Sequence, residues 1–380
     1  MTAAAPTSVS LEALLKAQAY GLGFDLAGIA RLGPAETAAA FERWVEAGRH
    51  GEMAYLVRGA EKRRDTRLPV PGALSALVVG MSYGGAEPAG PVARYARGLD
   101  YHDVMVERLR ELQRWLGEQL GCEVAGRAYV DTGPVLERDL ARRAGLGWFG
   151  KNTMLVSPGR GSFFFLGCLL VELELEPDAP FEADRCGTCT RCLEACPTGA
   201  LTAPRELDAT RCVSYLTIEL KGAIPEELRA PMGGLLYGCD LCQDVCPWNV
   251  RFAEALPDGS PYAARPALSG RGARALALSL LAMSRPEFSA AFKGSPMKRA
   301  KLRGLKRNSA VVLGNVGSAD DVPALTAALS DDEPLVRSHA AWALGRLGSP
   351  AAAAALRERL EVEADAGVRA ELAAALVHAT

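Results

Sequence analysis

Cys186-Gly187-Thr188-Cys189-Thr190-Arg191-Cys192-Leu193-Glu194-Ala195-Cys196-Pro197 decides how this chain is read. With Cys212 and the run Cys239-Asp240-Leu241-Cys242-Gln243-Asp244-Val245-Cys246-Pro247, it holds eight of the ten cysteines. A four-iron cube takes four thiolates, and in this ferredoxin spacing the last cysteine of one run serves the other cluster. Cluster one is therefore assigned to Cys186, Cys189, Cys192 and Cys246. Cluster two takes Cys196, Cys212, Cys239 and Cys242, with Cys212 standing in for the member missing from the second run. Pro197 and Pro247 are expected to end short helices, since proline has no N–H to donate. A zinc ribbon would use paired knuckles or added histidines, and none of the four histidines lies near. Disulfides need an oxidising compartment. The pattern predicts two [4Fe–4S] clusters and electrons moved one at a time.

At 380 residues the chain has room for two or three domains, and 49% hydrophobic content is ordinary for a globular protein. Met1–Ser10 lacks the basic and apolar regions of an export signal. The longest apolar run, Phe163–Val171, is far short of the ~20 residues of a membrane span. These readings predict a cytoplasmic protein with no membrane partner. The net charge of −2 gives no global pull toward a polyanion, but Lys298, Arg299, Lys301, Arg303, Lys306 and Arg307 form a block free of acids. Such a block is either a solvated helix face or the footprint of phosphate binding.

Periodicity predicts a helix capped by Ser10 and ended by Gly21 or Gly23, a second over Phe41–Gly48, a buried strand Ala76–Met81 and a helix Val104–Leu120. A strand Arg127–Val130 is expected to lead through Asp131-Thr132-Gly133-Pro134 into a helix Val135–Ala144 with Pro134 just inside its start. Val171, Leu173 and Leu175 alternate with glutamates as a half-exposed strand does. Beyond the cysteines, Arg307–Gly314 recurs as Arg337–Gly345 and again as Arg369–Leu376. A period of about 30 residues predicts two-helix units stacked as a short HEAT-like solenoid. The fold class is α+β: residues 1–180 mixed, 181–255 the cluster module, 256–380 helical with repeats over about 300–380.

Three further segments invite a chemical reading. Gly145-Leu146-Gly147-Trp148-Phe149-Gly150-Lys151-Asn152 satisfies G-x-G-x-x-G, but a phosphate loop follows a strand and opens a helix, whereas this one follows a helix, so a glycine cap and turn is expected. Asp131 ends an apolar strand before a helix, as either an active carboxylate or a helix cap. Asp100-Tyr101-His102-Asp103-Val104-Met105 begins the D-x-H-x-x-G motif by which some corrinoid proteins ligate cobalt from below; Met105 breaks it, and His102 is read as structural.

Tyr95–His102, Val130–Glu137, Gly145–Asn152, Cys212–Thr217 and Tyr237–Asn249 together resemble the epoxyqueuosine reductases, which carry out the last step of queuosine synthesis in tRNA. The resemblance spans nearly the whole chain. It implies a cobalamin held between an N-terminal catalytic domain similar to reductive dehalogenases and the ferredoxin-like module. It also implies that Asp131 is the proton donor, and that Ala54, Arg97, Asp131, Leu155, Leu166, Ser214 and Lys221 form the cobalamin envelope with Lys151 and Asn152 nearby. Asn152 stands where many members have histidine. The implied partners are tRNA carrying epoxyqueuosine, gripped by Lys298–Arg307, and an external low-potential electron donor. A reductive dehalogenase of small molecules and a non-catalytic iron–sulfur electron carrier are the alternatives; the first usually carries an export signal and has no use for a basic solenoid.

Overall fold

The structure, a computed structural model, describes residues 9–379; residues 1–8, most of the stretch examined for an export signal, lie outside the described residues. Four antiparallel strands form the main sheet in the order Leu26–Arg31, Ser75–Ser82, Phe164–Val171, Gly126–Tyr129. The two central strands are apolar runs covered on both faces, and side chains alternate between those faces. Leu77, Val79 and Leu169 point to one side, where helices Leu11–Gly21 and Tyr101–Leu120 pack through Leu15, Met105, Leu109, Leu112 and Leu116. Ala76, Val78 and Cys168 point to the other, against Val135, Leu140 and Ala141 of the segment that becomes helix Glu137–Arg143.

Three local departures from the sequence expectation set up the site. The long helix begins at Tyr101 rather than Val104, because the Asp100 side chain caps it by accepting the His102 N–H at 3.1 Å. Tyr101 and His102 thereby sit in its first turn. The strand Gly126–Tyr129 stops one residue early, and the following helix starts at Glu137 rather than Val135, with Pro134 in the preceding loop. Asp131 is left in that loop with a left-handed backbone, φ 58°. The Val171–Leu175 alternation persists in burial, but the ladder ends at Val171, and the Leu175 N–H donates to the Ser75 hydroxyl instead.

The C-terminal helices Lys301–Val316, Pro334–Leu347 and Ala366–Ala379 lie side by side, with Val322–Ala328 and Pro350–Val362 as their outer partners. Close approach requires glycine: a Cβ on Gly314 would lie 2.6 Å from Trp342, and one on Gly345 would lie 2.8 Å from the Ala375 carbonyl. The arginine that heads each repeat is a brace. Arg307, Arg337 and Arg369 all turn their guanidinium groups back onto carbonyls, those of Leu216, Leu220 and Gly222, of Asp331 and Asp332, and of Leu360 and Glu363. One continuous core joins Val92 and Ala96 of the N-terminal region, Val213, Leu216 and Leu236 of the cysteine-bearing region, and the repeat helices. Among the described residues no helix is long and apolar enough to cross a membrane.

Arg337 and Arg359 fork around Glu363, whose carboxylate lies shallow but is wholly covered by them. The hydrogen bonds from Arg337 chiefly hold its pKa down at about 2. Because the folded pKa is depressed, this stabilisation is complete above the ordinary glutamate range and is lost as pH falls toward 2. Glu363→Gln should cost roughly 3 kcal/mol at pH 7, the low end for breaking a buried pair, and should flatten the acid loss of stability; urea unfolding followed by circular dichroism between pH 2 and 7 reads both.

Candidate active site and cluster-binding region

The cysteines assigned to each cluster come together in space. Cys192 lies within electrostatic reach of Cys186 and Cys246, and Cys246 of Cys186 and Cys189. In the second set Cys212 is coupled to Cys196, Cys239 to Cys212 and Cys196, and Cys242 to all three. Among the described residues no three histidine, cysteine or acidic side chains converge on a single metal ion. A cube with one thiolate on each iron sets its four ligands farther apart than a single ion does. Short helices Arg191–Glu194 and Leu241–Asp244 end just before Cys196-Pro197 and Cys246-Pro247, and Pro247 also opens the next helix, Pro247–Phe252.

The two sets sit at different depths. Exposed Arg185, Gly187, Thr188 and Arg191 surround the first, whereas buried Val213, Leu216, Tyr237 and Gln243 flank the second. Burial pushes the Cys239 thiol up to about 12 and the Cys242 thiol well above its ordinary value. Such thiols become anions only when iron is there to take them, so metal loading and proton release are linked.

The glycine-rich segment after helix Glu137–Arg143 braces both loops. Gly145 is left-handed, φ 76°, directly after the helix cap. Trp148 Nε1 donates to Cys186 Sγ at 3.4 Å, and the Trp148 ring meets Trp248 edge-on at 4.9 Å. Lys151 Nζ donates to the carbonyls of Gly187 and Cys189, at 2.6 and 2.9 Å, and Asn152 Nδ2 to that of Cys242 at 3.2 Å. Both side chains, expected near the cobalamin envelope, are tied to the cysteine loops.

Asp131 stands in a different setting. Its side chain is 70% exposed, yet desolvation is the largest influence on it, which describes a carboxylate on the wall of an open recess. It is no helix cap: Oδ2 accepts the Tyr101 hydroxyl at 2.8 Å and lies 3.8 Å from His102 Nε2. His102 Nδ1 lies 2.6 Å from Asp100 Oδ1. Burial alone would raise the Asp131 pKa, but hydrogen bonding with His102 and Tyr101 brings it below the ordinary range. Burial alone would lower His102, but Asp100 and then Asp131 raise it to about 9. The site thus contains three groups, Asp100, Tyr101 and His102, that the sequence reading left as structural. Their signal was the cluster Asp100-Tyr101-His102 itself, unreadable until the helix start was known.

Around the recess, helix Ala54–Arg58 brings exposed Ala54 and Tyr55 opposite helix Val213–Ile218, which carries Ser214. The Tyr215 hydroxyl accepts the Glu52 N–H at 2.8 Å, and the Glu52 carboxylate accepts the Lys221 N–H at 2.8 Å. Leu155 and Leu166 join the apolar layer beneath, with Val135. Arg299 forks onto Glu219, at 2.6 and 3.0 Å, with its guanidinium 5.4 Å from the centre of the Tyr55 ring. Arg97 donates to the carbonyls of Val92 and Pro88. A corrin bound here would find no histidine offered from the D-x-H segment, since both His102 nitrogens face carboxylates. That donor set fits a cobalamin left without a protein ligand; Ala54, Leu155, Leu166, Ser214 and Lys221 are the residues that would line its site.

Family models match at residues 63–132 ("Epoxyqueuosine reductase QueG, DUF1730"), 185–249 ("4Fe-4S double cluster binding domain") and 300–377 ("HEAT repeats"). The epoxyqueuosine reductase of Xanthomonas campestris is 42% identical over 357 residues, covering 91% of this chain and 98% of that protein. The chain belongs to the epoxyqueuosine reductase family. The Escherichia coli K12 member is 39% identical over 336 residues, 86% of each chain. Two solved family structures superpose on 97% of this chain. One, holding an epoxyqueuosine-modified tRNA-Tyr stem loop, has TM-score 0.85 at 32% identity and is covered over 98% of its length. The other, from Bacillus subtilis with its catalytic loop swung out of the active site, has TM-score 0.83 at 31% and is covered over 99%. The family's double-cluster domain coincides with the eight cysteines, and the chain carries two [4Fe–4S] clusters.

Cys212→Ser should remove cluster two alone, leaving about four of about eight irons per chain after anaerobic reconstitution. Changing Cys122 or Cys168 to Ser should leave the iron count unchanged. Iron analysis with electron paramagnetic resonance of the reduced protein reads both.

Proposed function

We propose that this chain reduces epoxyqueuosine to queuosine at the wobble position of tRNA, in the cytoplasm, with electrons drawn singly from an external low-potential donor. The observation that carries the reading is one shared aromatic wall. Tyr101, which holds Asp131, stacks on Phe165 at 4.2 Å, and Phe165 meets Tyr83 at 4.7 Å; Tyr83 in turn lies within electrostatic reach of Cys242. A buried run of aromatic rings thus links the anchor of the proton donor to the deeper cysteine set, and the shallower set lies toward solvent, where a donor protein would reach it. Cobalamin, when bound, supplies a metal centre that gathers two single electrons against one substrate.

The chain's own residues do the rest. Asp131 hands a proton to the leaving epoxide oxygen, and Tyr101 keeps the carboxylate on the recess wall. Tyr55, at the rim beside the Arg299–Glu219 pair, presents an aromatic face to the flipped base. Of the basic block, only Lys298, Lys301 and the loosely engaged Arg303 remain for phosphates. Arg307 is 1% exposed and committed to carbonyls, Lys306 pairs with Asp331 at 2.8 Å and Arg299 with Glu219, which corrects the expectation that all six grip tRNA.

The deciding experiment is anaerobic reconstitution with iron, sulfide and cobalamin, followed by nucleoside analysis of epoxyqueuosine-containing tRNA. Queuosine should accumulate; loaded protein that binds this tRNA and returns the epoxide intact would overturn the reading. Asp131→Asn should lower kcat by about 10²–10⁴ with cofactor content unchanged. Lys298→Ala with Lys301→Ala should weaken tRNA binding and reduce the slope of log affinity against log salt by about 0.7–0.9 per lost contact, as measured by fluorescence anisotropy at several salt concentrations.

A further inference from the structure

Removing an epoxide oxygen as water breaks two C–O bonds, forms two O–H bonds and one carbon–carbon π bond, and consumes two electrons and two protons. The electrons come from the external one-electron donor. Asp131 by itself delivers one proton per charging, and its hydrogen-bonded neighbours hold it in the ionised form at rest, so the site needs a proton store behind it. We propose that His102 is that store: its Nε2–H recharges Asp131 Oδ2 for each of the two proton transfers, with Asp100 holding the imidazole and Tyr101 holding the carboxylate. The inference rests on Asp131 being the donor to the leaving oxygen.

The geometry is that of a relay. Asp100 Oδ1 lies 2.6 Å from His102 Nδ1, fixing the ring and stabilising its cation, while Nε2 is turned to Asp131 at 3.8 Å. That gap closes by rotation of the Asp131 side chain or is bridged by one water. Tyr101 stacks on the imidazole, centroids 4.0 Å apart, and on Phe165, so the three-group set is rigid apart from Asp131. The imidazole is 30% exposed, enough to take a replacement proton from solvent. In each cycle the proton moves from Nε2 to Oδ2 and then to the substrate oxygen; neutral His102 is reprotonated from water.

Other charged groups face this pair. Asp100 and Asp131 are those facing His102. Facing Asp131 are Arg138 and Glu137 from its own segment, Arg63 and Tyr55 from the helices Ala60–Arg63 and Ala54–Arg58, Tyr95, and Arg299. The arginines do not give up protons in the working range. Glu137, pushed up to about 8 by burial and then by Asp131, is the competing store, but its Oε1 is buried without a hydrogen-bond partner.

Two measurements test the proposal. In holoprotein labelled with 15N-imidazole, with clusters oxidised, the resonance absent from His102→Gln should titrate near 9. In Asp100→Asn it should fall toward the ordinary value of about 6.5. In steady-state kinetics, kcat of the wild type should decline as pH rises through that same value. His102→Gln should lose about 100-fold at pH 8 with KM little changed, its alkaline limb displaced downward by two or more pH units. Asp100→Asn should give a smaller displacement in the same direction. An imidazole titrating at its ordinary value in the wild type, an unmoved alkaline limb in His102→Gln, or a limb that moves only in Glu137→Gln would overturn the proposal. Full turnover by Asp131→Asn would instead overturn the donor reading on which it stands.

Discussion

Arg307 and Asn308, 1% and 0% exposed in the first repeat helix, hold together the region on which cluster two depends. Arg307 donates to the carbonyls of Leu216, Leu220 and Gly222, at the end of the helix that Cys212 opens. Asn308 donates to those of Thr217 and Leu236, and the Thr217 hydroxyl accepts the Gly238 N–H, one residue before Cys239. Two cysteines far apart in sequence are thus positioned by one turn of a helix that contains no cysteine. The arrangement is costly to disturb. Among the described residues no carboxylate is bonded to the buried guanidinium, and burial pushes it down to about 10, so its charge is carried by carbonyl dipoles and by the Asn308 side chain. Each carbonyl lost from that set would leave an unsatisfied charge in a dry interior.

It follows that the helical repeats are not a separate reader attached to a redox domain. Their first helix packs its Leu305, Val311 and Val312 into the same core as Val213, Leu216 and Tyr237, and Cys212 and Cys239 pack against that core. The first repeat helix and the helix that Cys212 opens therefore share one packed core. Lys298 and Lys301 lie just before or at the start of the helix, with Arg299 between them placed over the Tyr55 ring.

The sequence made the clusters legible because ligand spacing is a local property: three-residue steps bring thiols to one point whatever the surrounding fold. The repeats were legible for a related reason, since self-similarity survives without knowledge of packing. The same repeat alignment contained a signal about Arg307, which falls in register with Arg337 and Arg369. All three brace carbonyls, and the basic block concealed this by presenting Arg307 as one more surface charge. Helix starts were less legible. Asp100 capping extended the long helix by one turn and brought His102 toward Asp131, an encounter between residues about thirty positions apart that no local pattern announces. The glycine cap and turn at Gly145 was legible because it is local, whereas the partners of Lys151 and Asn152, the carbonyls of the cysteine loops, lie far along the chain and leave no local signal.

Asp131 combines two requirements that pull against each other. A proton donor must reach both a source and an acceptor, and it must also be held where the acceptor arrives. The loop answers the first with a left-handed residue, φ 58°, whose side chain is left 70% exposed. It answers the second with a single strong contact, the Tyr101 hydroxyl at 2.8 Å, from a ring held by stacking on Phe165 in a face-to-face arrangement only 5° from parallel. Burial and the Asp131 charge keep that phenol protonated throughout, so it can position the carboxylate without ever competing for its proton. The carboxylate is therefore free to rotate about a fixed anchor, with the imidazole on one side and the open recess on the other.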